Sequence, residues 1–168
     1  KKVVFNVELL PVIKLVSCLI IHGIFVLIMI AMFFCYGRLP MLSWIQIIYY
    51  SFALSVLALG IIYITSAINV FFKDMAQIVN IILHFGMWLT PIMWDPSMFP
   101  NKPAWLGPVL RINPVYYIVT GYRDSMLAGN YFWQRPGLTV YFWIVTIIIL
   151  IAGISIFRKL KPHFADVL

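Results

Sequence analysis

Four stretches of almost unbroken apolar residues divide the chain, at residues 14–35, 44–69, 75–94 and 138–157. Each supplies roughly the 20 residues that a ~30 Å hydrocarbon core requires. Their many β-branched residues would favour strands in water. In lipid, a continuous apolar run has to satisfy its own backbone hydrogen bonds, which a helix does, and the alternation of a barrel strand is absent. The pattern predicts an all-α integral membrane chain with about four transmembrane helices. The breaks are well marked. Gly37, Arg38 and Pro40 end the first run, Lys73-Asp74 separates the second from the third, and Thr90-Pro91 stops the third. Arg158-Lys159-Leu160-Lys161-Pro162 closes the fourth.

Between the last two runs the polarity is intermediate. Residues 91–137 are too polar and Pro-rich for a simple span, and too apolar and aromatic for a free loop. Asn113-Pro114 is a helix start, with Asn as N-cap and Pro at the first helical position. Gly129-Asn130 is the matching stop. Val115, Ile118, Val119, Tyr122 and Met126 lie between them at helical spacing. About 14 residues give ~21 Å of helix, too short to cross. A second short helix is expected near residues 103–112. The pair reads as a re-entrant hairpin dipping into the outer leaflet, which irregular backbone tolerates only beside protein or a water-filled cavity. That points to a transport pathway.

Composition agrees. Of 168 residues, 64% are hydrophobic and 10% charged, far too few charges to cover a soluble domain of this size. The chain opens on Lys1-Lys2-Val3-Val4, with no initiator Met and no signal-peptide pattern, and reads as the later part of a longer membrane subunit. The net charge of +7 comes from basic residues in short loops, so no nucleic-acid face can be assembled from them. With four spans, Lys1, Lys2, Lys14, Lys73, Arg158, Lys159 and Lys161 share one side, in short segments. Arg38, Lys102, Arg111, Arg123 and Arg135 fall on the other. The denser set places both termini in the cytoplasm. Cys18 and Cys35 lie ~25 Å apart along one helix and cannot pair within it.

Catalytic and metal motifs are missing: there is no phosphate-cradling G-x-x-x-x-G-K-[ST], no H-E-x-x-H, no close cysteine pair and no G-x-S-x-G. His84, in the middle of the third run, reads as an interhelical hydrogen-bonding residue before a proton-relay one. A transferase acting on a polyprenyl lipid would need paired carboxylates, for which Asp95 with Asp124 is the sole candidate. A channel or scaffold subunit is a third reading.

Several segments carry a resemblance. Phe5-Asn6-Val7-Glu8-Leu9-Leu10-Pro11 resembles the cytoplasmic coupling segment of the ABC permeases that export lipid-linked polysaccharides. Val70-Phe71-Phe72-Lys73-Asp74 resembles that family's "FRD" turn, with Lys for Arg. Leu89-Thr90-Pro91-Ile92-Met93-Trp94 is similar to its "LTPI" span end. Asn113-Pro114-Val115-Tyr116-Tyr117, continued by Gly121-Tyr122-Arg123-Asp124-Ser125, is similar to its "NPxxYxxxGYRxS" block. The tail from Lys159 to Leu168 resembles the ending of the family's wall teichoic acid branch in Gram-positive bacteria.

The resemblance implies spans three to six of a six-span permease in the plasma membrane. Residues 1–12 would be the coupling segment, 13–95 three spans, 96–136 the external gate, 137–158 the last span and 159–168 a cytoplasmic tail. It implies a homodimer working with two ABC ATP-binding subunits, which would hold ATP and Mg and perform hydrolysis. This chain would itself be no enzyme and hold no cofactor. Phe5, Asn6, Glu8, Leu9, Lys73 and Asp74 would couple to those subunits. Without the resemblance, the first of these stretches reads equally as an interfacial segment with snorkelling lysines. The substrate would be teichoic acid on undecaprenyl diphosphate, or alternatively an O-antigen or capsular polysaccharide. Trp94, Trp105, Arg111, Tyr116, Tyr117, Tyr122 and Arg123 would line the path or gate. Guanidinium groups bind phosphate bidentately, but the arginines suit a gate ion pair or an interfacial anchor as well, and the rings suit an aromatic belt.

Overall fold

A computed structural model describes residues 9–98 and 103–166. Its regular elements are all helical: α1 (Leu9–Cys35), α2 (Gln46–Asn69), α3 (Met75–Leu89), α4 (Leu106–Ile112), α5 (Pro114–Arg123) and α6 (Pro136–Leu160). Short helical turns lie at Leu42–Ile45, Pro96–Met98, Asp124–Ala128, Phe132–Gln134 and Lys161–Asp166. Residues Leu9–Cys35, Leu42–Asn69 and Pro136–Phe164 are long and apolar enough to cross a membrane. Large apolar side chains such as Ile20, Phe25, Ile48, Phe85 and Ile148 lie exposed along the helices, as lipid-facing or partner-facing surfaces require.

The frame is the parallel pair α2 and α6. It is close because glycines meet at the crossing: a Cβ on Gly153 would lie 2.5 Å from the Gly60 carbonyl oxygen, and one on Gly60 would lie 2.9 Å from the Leu150 nitrogen. Small residues at a contact let helix backbones approach and pack where lipid supplies no hydrophobic drive. α1 runs antiparallel to α2, with Val26, Met29, Ile30 and Phe33 packed on Trp44 and Ile47. α3 returns antiparallel along α2 from the turn at residues 70–74. One end of the bundle therefore carries the α4–α5 hairpin, and the other carries the α2–α3 turn and the tail.

α3 ends at the Thr90-Pro91 signal, ahead of the end of its apolar run. α3 stops at Leu89, short of residue 94, and its 15 residues give ~22 Å. Thr90 is extended, with ψ 133°, as sterics demand of a residue before proline. The apolar run continues past the helix as irregular chain. Pro11 lies within α1 as described, three residues from Leu9 by inclusive count. Phe5, Asn6 and Glu8 lie outside the described residues. Leu9, the first residue of α1, is exposed.

A re-entrant hairpin and its anchors

The hairpin forms where the capping signals predict. Asn113 takes the N-cap of α5, its side-chain oxygen accepting from the Val115 N–H at 2.9 Å, and Pro114 occupies the first turn. At the far end Gly129, with φ 71°, stops the wide turn of Asp124–Ala128 in the left-handed region that glycine adopts freely. α4 descends and α5 climbs back. Ser43, ahead of α2, donates to the Ser125 carbonyl at 2.6 Å, while the opposite end of α5 lies deeper, where Tyr141 donates to the Ile112 carbonyl at 2.7 Å. Tyr141 is five residues into α6, so the Asn113-Pro114 turn sits ~8 Å below the start of α6.

At that depth the hairpin meets α3. The Asn113 amide donates to the Thr90 hydroxyl at 2.7 Å, and Thr90 is buried. The chain then leaves α3 as irregular backbone, whose carbonyls need partners in a low-dielectric setting. Arg123 supplies them. It donates to Asp95 Oδ2 and the Pro91 carbonyl, both at 3.1 Å, and to the carbonyls of Ile92 and Trp94 at 3.4 Å. The guanidinium is thus engaged by residues 91–95. Two ion pairs form here: Arg123 with Asp95, and Asp124 with Arg135 at 2.9 Å. Burial pushes the Asp124 carboxyl up, against the pull of Arg135 and Arg123. Each carboxylate thus faces an arginine.

The other faces of α5 are tied to the spans. Tyr117 is buried, its hydroxyl 3.1 Å from that of Tyr49 and 3.0 Å from Thr139, with its ring stacked 4.8 Å from Phe142. The Tyr122 hydroxyl lies 2.6 Å from Ser51 and 2.9 Å from His22 Nε2, joining α1, α2 and α5. Gly121 lies against the Tyr50 ring, leaving no space for a Cβ. Gln46 clamps the next loop, donating to the Asn130 carbonyl at 2.9 Å and accepting from the Phe132 N–H at 2.7 Å.

The remaining anticipated residues are more peripheral. Trp94 donates to the Trp88 carbonyl at 3.0 Å, Tyr116 is half-buried, and Trp105 and Arg111 are exposed on α4. His84 donates to Asn80 of its own helix at 2.7 Å, so the interhelical bond expected of it is replaced by a local one. Lys73 and Asp74 are exposed at the α2–α3 turn, at the opposite end from the hairpin. Ser43, Gln46, Tyr49, Ser51 and His22 carry no motif. Their only signal was polarity inside apolar runs.

Comparison with known proteins accords with this arrangement. The model of the ABC-2 type transporter family matches residues 9–127. Two relatives from Klebsiella pneumoniae, named O-antigen export system permease protein RfbA, are each 29% identical, with all of this chain aligned to 63% of the relative. A Myxococcus xanthus relative of the same name is 26% identical over 98% of this chain and 62% of its own length. The chain therefore spans less than two thirds of the relatives it matches. They are named for O-antigen export, not for teichoic acid export, the branch that the tail resembles. With the family model covering most of the residues and the hairpin among them, the chain belongs to the ABC-2 type transporter family.

Proposed function

We propose that this chain forms the later spans of a permease subunit that exports a lipid-linked polysaccharide across the plasma membrane, driven by a separate ATP-binding subunit. The observation that supports it most is the tie between the end of α3 and the hairpin turn, Asn113 to Thr90 at 2.7 Å. A short helix, an irregular exit and a re-entrant pair joined in this way make a plug that can move as a unit, as a conduit's outer gate must. In this reading both described ends of the bundle's tail side face the cytoplasm. Two permeases form a dimer with two ATP-binding subunits, where ATP and Mg reside. The first residues, including Phe5, Asn6, Glu8 and Leu9, and the turn at Lys73 and Asp74 take the thrust of ATP-driven closure.

The substrate that the relatives' names favour is an O-antigen-type glycan on a polyprenyl diphosphate lipid, in place of the teichoic acid suggested by the tail alone. Trp105, Arg111 and Tyr116, exposed or half-buried near the hairpin, are the side chains placed to meet it. Arg123, Tyr117 and Tyr122 hold the gate together. The test is to co-express the full-length permease with its ATP-binding subunit, reconstitute it in vesicles, and identify co-purified lipid-linked glycan by mass spectrometry. ATP-dependent transfer of an O-antigen-type glycan supports the reading. Transfer of a poly(polyol phosphate) restores the teichoic acid branch, and transport without an ATPase refutes the exporter.

A further inference from the structure

The loop that joins the hairpin to α6 is pinned at several points and still leaves large rings outside. Gln46 of α2 donates to the Asn130 carbonyl and accepts from the Phe132 N–H, and the Phe132 carbonyl accepts from Thr139 Oγ1 at 3.2 Å. The Phe132 ring turns toward the spans and stacks on Tyr49 at 4.5 Å, with 21° between the planes. Arg135 closes the loop by its ion pair with Asp124. Phe132 is thus the inward anchor.

The residues on either side of it pair with each other. The rings of Tyr131 and Trp133 lie face to face, centroids 4.3 Å apart and planes within 11°. Phe132 meets Trp133 edge-on at 5.0 Å, yet Trp133 remains 58% exposed. Its indole N–H has no hydrogen-bond partner among the described residues. A tryptophan just ahead of a span is ordinarily an interfacial anchor. Such an anchor works in a fluid headgroup layer and needs neither a backing ring nor a clamped backbone. A ring already held in one pose loses little freedom when a ligand lies on it, and that is what rigidity gives a binding surface.

The ligand's chemistry follows from the rings. An aromatic face is electron-rich and attracts groups of positive polarity. The flat side of a pyranose presents such groups in its C–H bonds, and the hydroxyls at its edge accept from a free N–H. Phosphate is poorly served, because Arg135, the cation beside the pair, is already matched by Asp124. We propose that Tyr131 and Trp133 form a sugar-stacking platform at the outer face, which receives pyranose rings of the emerging glycan. The proposal rests on the exporter reading and deepens it: the platform selects a ring-bearing glycan over a bare polyol phosphate chain, which is acyclic and anionic.

The test uses the full-length permease with its ATP-binding subunit in lipid nanodiscs, without ATP. The probes are the glycan freed by mild acid from the lipid that co-purifies, and poly(glycerol phosphate). Saturation-transfer NMR should show ring protons of the freed glycan against the protein, and poly(glycerol phosphate) should bind far more weakly. Trp133→Ala should weaken glycan binding roughly tenfold, and Trp133→Phe, which keeps a ring on Tyr131, only about twofold. Trp133 emission, taken as wild type minus Trp133→Phe, should resist quenching by brominated phospholipid. The proposal falls if Trp133→Ala binds the glycan as wild type does, or if poly(glycerol phosphate) binds equally well. It falls too if brominated lipid quenches Trp133, which would make the residue an interfacial anchor. Those results leave the exporter reading standing. If no lipid-linked glycan co-purifies with the wild type, that reading fails first and the platform with it.

Discussion

Asn113 uses both ends of its side-chain amide: the oxygen caps α5 by accepting from Val115, and the nitrogen donates to Thr90 at the end of α3, 23 residues earlier. One residue therefore starts the rising helix of the hairpin and ties its lowest point to a span. Thr90→Val deletes only the tie and should cost about 1 kcal/mol, the worth of a hydrogen bond. Asn113→Ala deletes tie and cap and should cost about 2 kcal/mol, since an N-cap contributes about 1 kcal/mol more. In the double variant the tie is counted once, so the total should fall short of the sum by about 1 kcal/mol. Thermal unfolding of the purified permease in detergent measures all three. Full additivity would mean that the two side chains do not interact.

Arg123 is expected to be a backbone clamp, and the Lys variant separates this from phosphate binding. Its donors reach three carbonyls and Asp95 at once, a fan that a planar guanidinium can make and an ammonium cannot. Arg123→Lys should lose export nearly as completely as Arg123→Ala, and both should destabilise the protein by about 2 to 3 kcal/mol. A group that merely neutralised a substrate phosphate would be largely served by Lys. Export rate in vesicles, with unfolding temperature measured alongside, distinguishes the two.

The contrast between Asn113 and Arg123 marks how far the sequence could be read. Apolar runs and Asn-Pro and Gly-Asn punctuation are local signals, and the helices and hairpin obey them. The stop of α3 is also local, read from Thr90-Pro91, although the apolar residues run on to Trp94. The partners of Arg123 are carbonyls, which any residue carries, so no side-chain pattern could announce them. Gln46 and Ser43 bond to groups more than 80 residues away, Asn130 and Ser125, and such pairings follow from the topology. Phe164 shows a further gap: its place in the tail was visible as a likeness, while its burial against Phe71 depends on how α2 and α6 pack.

Asp124 makes the outer end of the hairpin sensitive to acid in a defined sense. Burial raises its carboxyl above the ordinary range, although Arg135 and Arg123 oppose the rise. A folded-state value above the unfolded one means that the folded protein holds the proton more tightly. This group's stabilising contribution is therefore fully present below the unfolded carboxyl value and fades as pH rises through the raised one. Asp124→Asn, fixed in a neutral form, should remove that slope. Unfolding temperatures of wild type and variant should converge as pH falls through the carboxylate range and separate above it. Above that range the wild type should be the less stable of the two, and a wild type more stable than the variant there would show that the Arg135 pair outweighs burial.

The α2–α6 crossing offers the sharpest packing test, because glycines of opposite character occur in the same chain. A Cβ at Gly153 would meet the Gly60 carbonyl oxygen at 2.5 Å, a backbone atom that cannot swing aside, whereas Gly23 and Gly86 have nothing within 4 Å. Gly153→Ala should therefore force the two helices apart and cost about 1 to 3 kcal/mol by overpacking. Gly121→Ala should cost at least as much, since its Cβ would run into the Tyr50 ring that also packs on Tyr117. Gly23→Ala and Gly86→Ala should be neutral or gain up to about 1 kcal/mol through helix propensity. Unfolding temperature ranks the four variants, and the expected order has Gly23 and Gly86 above wild type and Gly153 and Gly121 below it. If Gly153→Ala were neutral, the close approach of α2 and α6 would not be what holds the frame. The hairpin's anchors on Tyr49, Tyr50 and Phe142 would then lack the rigid support from which its movement as a unit was argued.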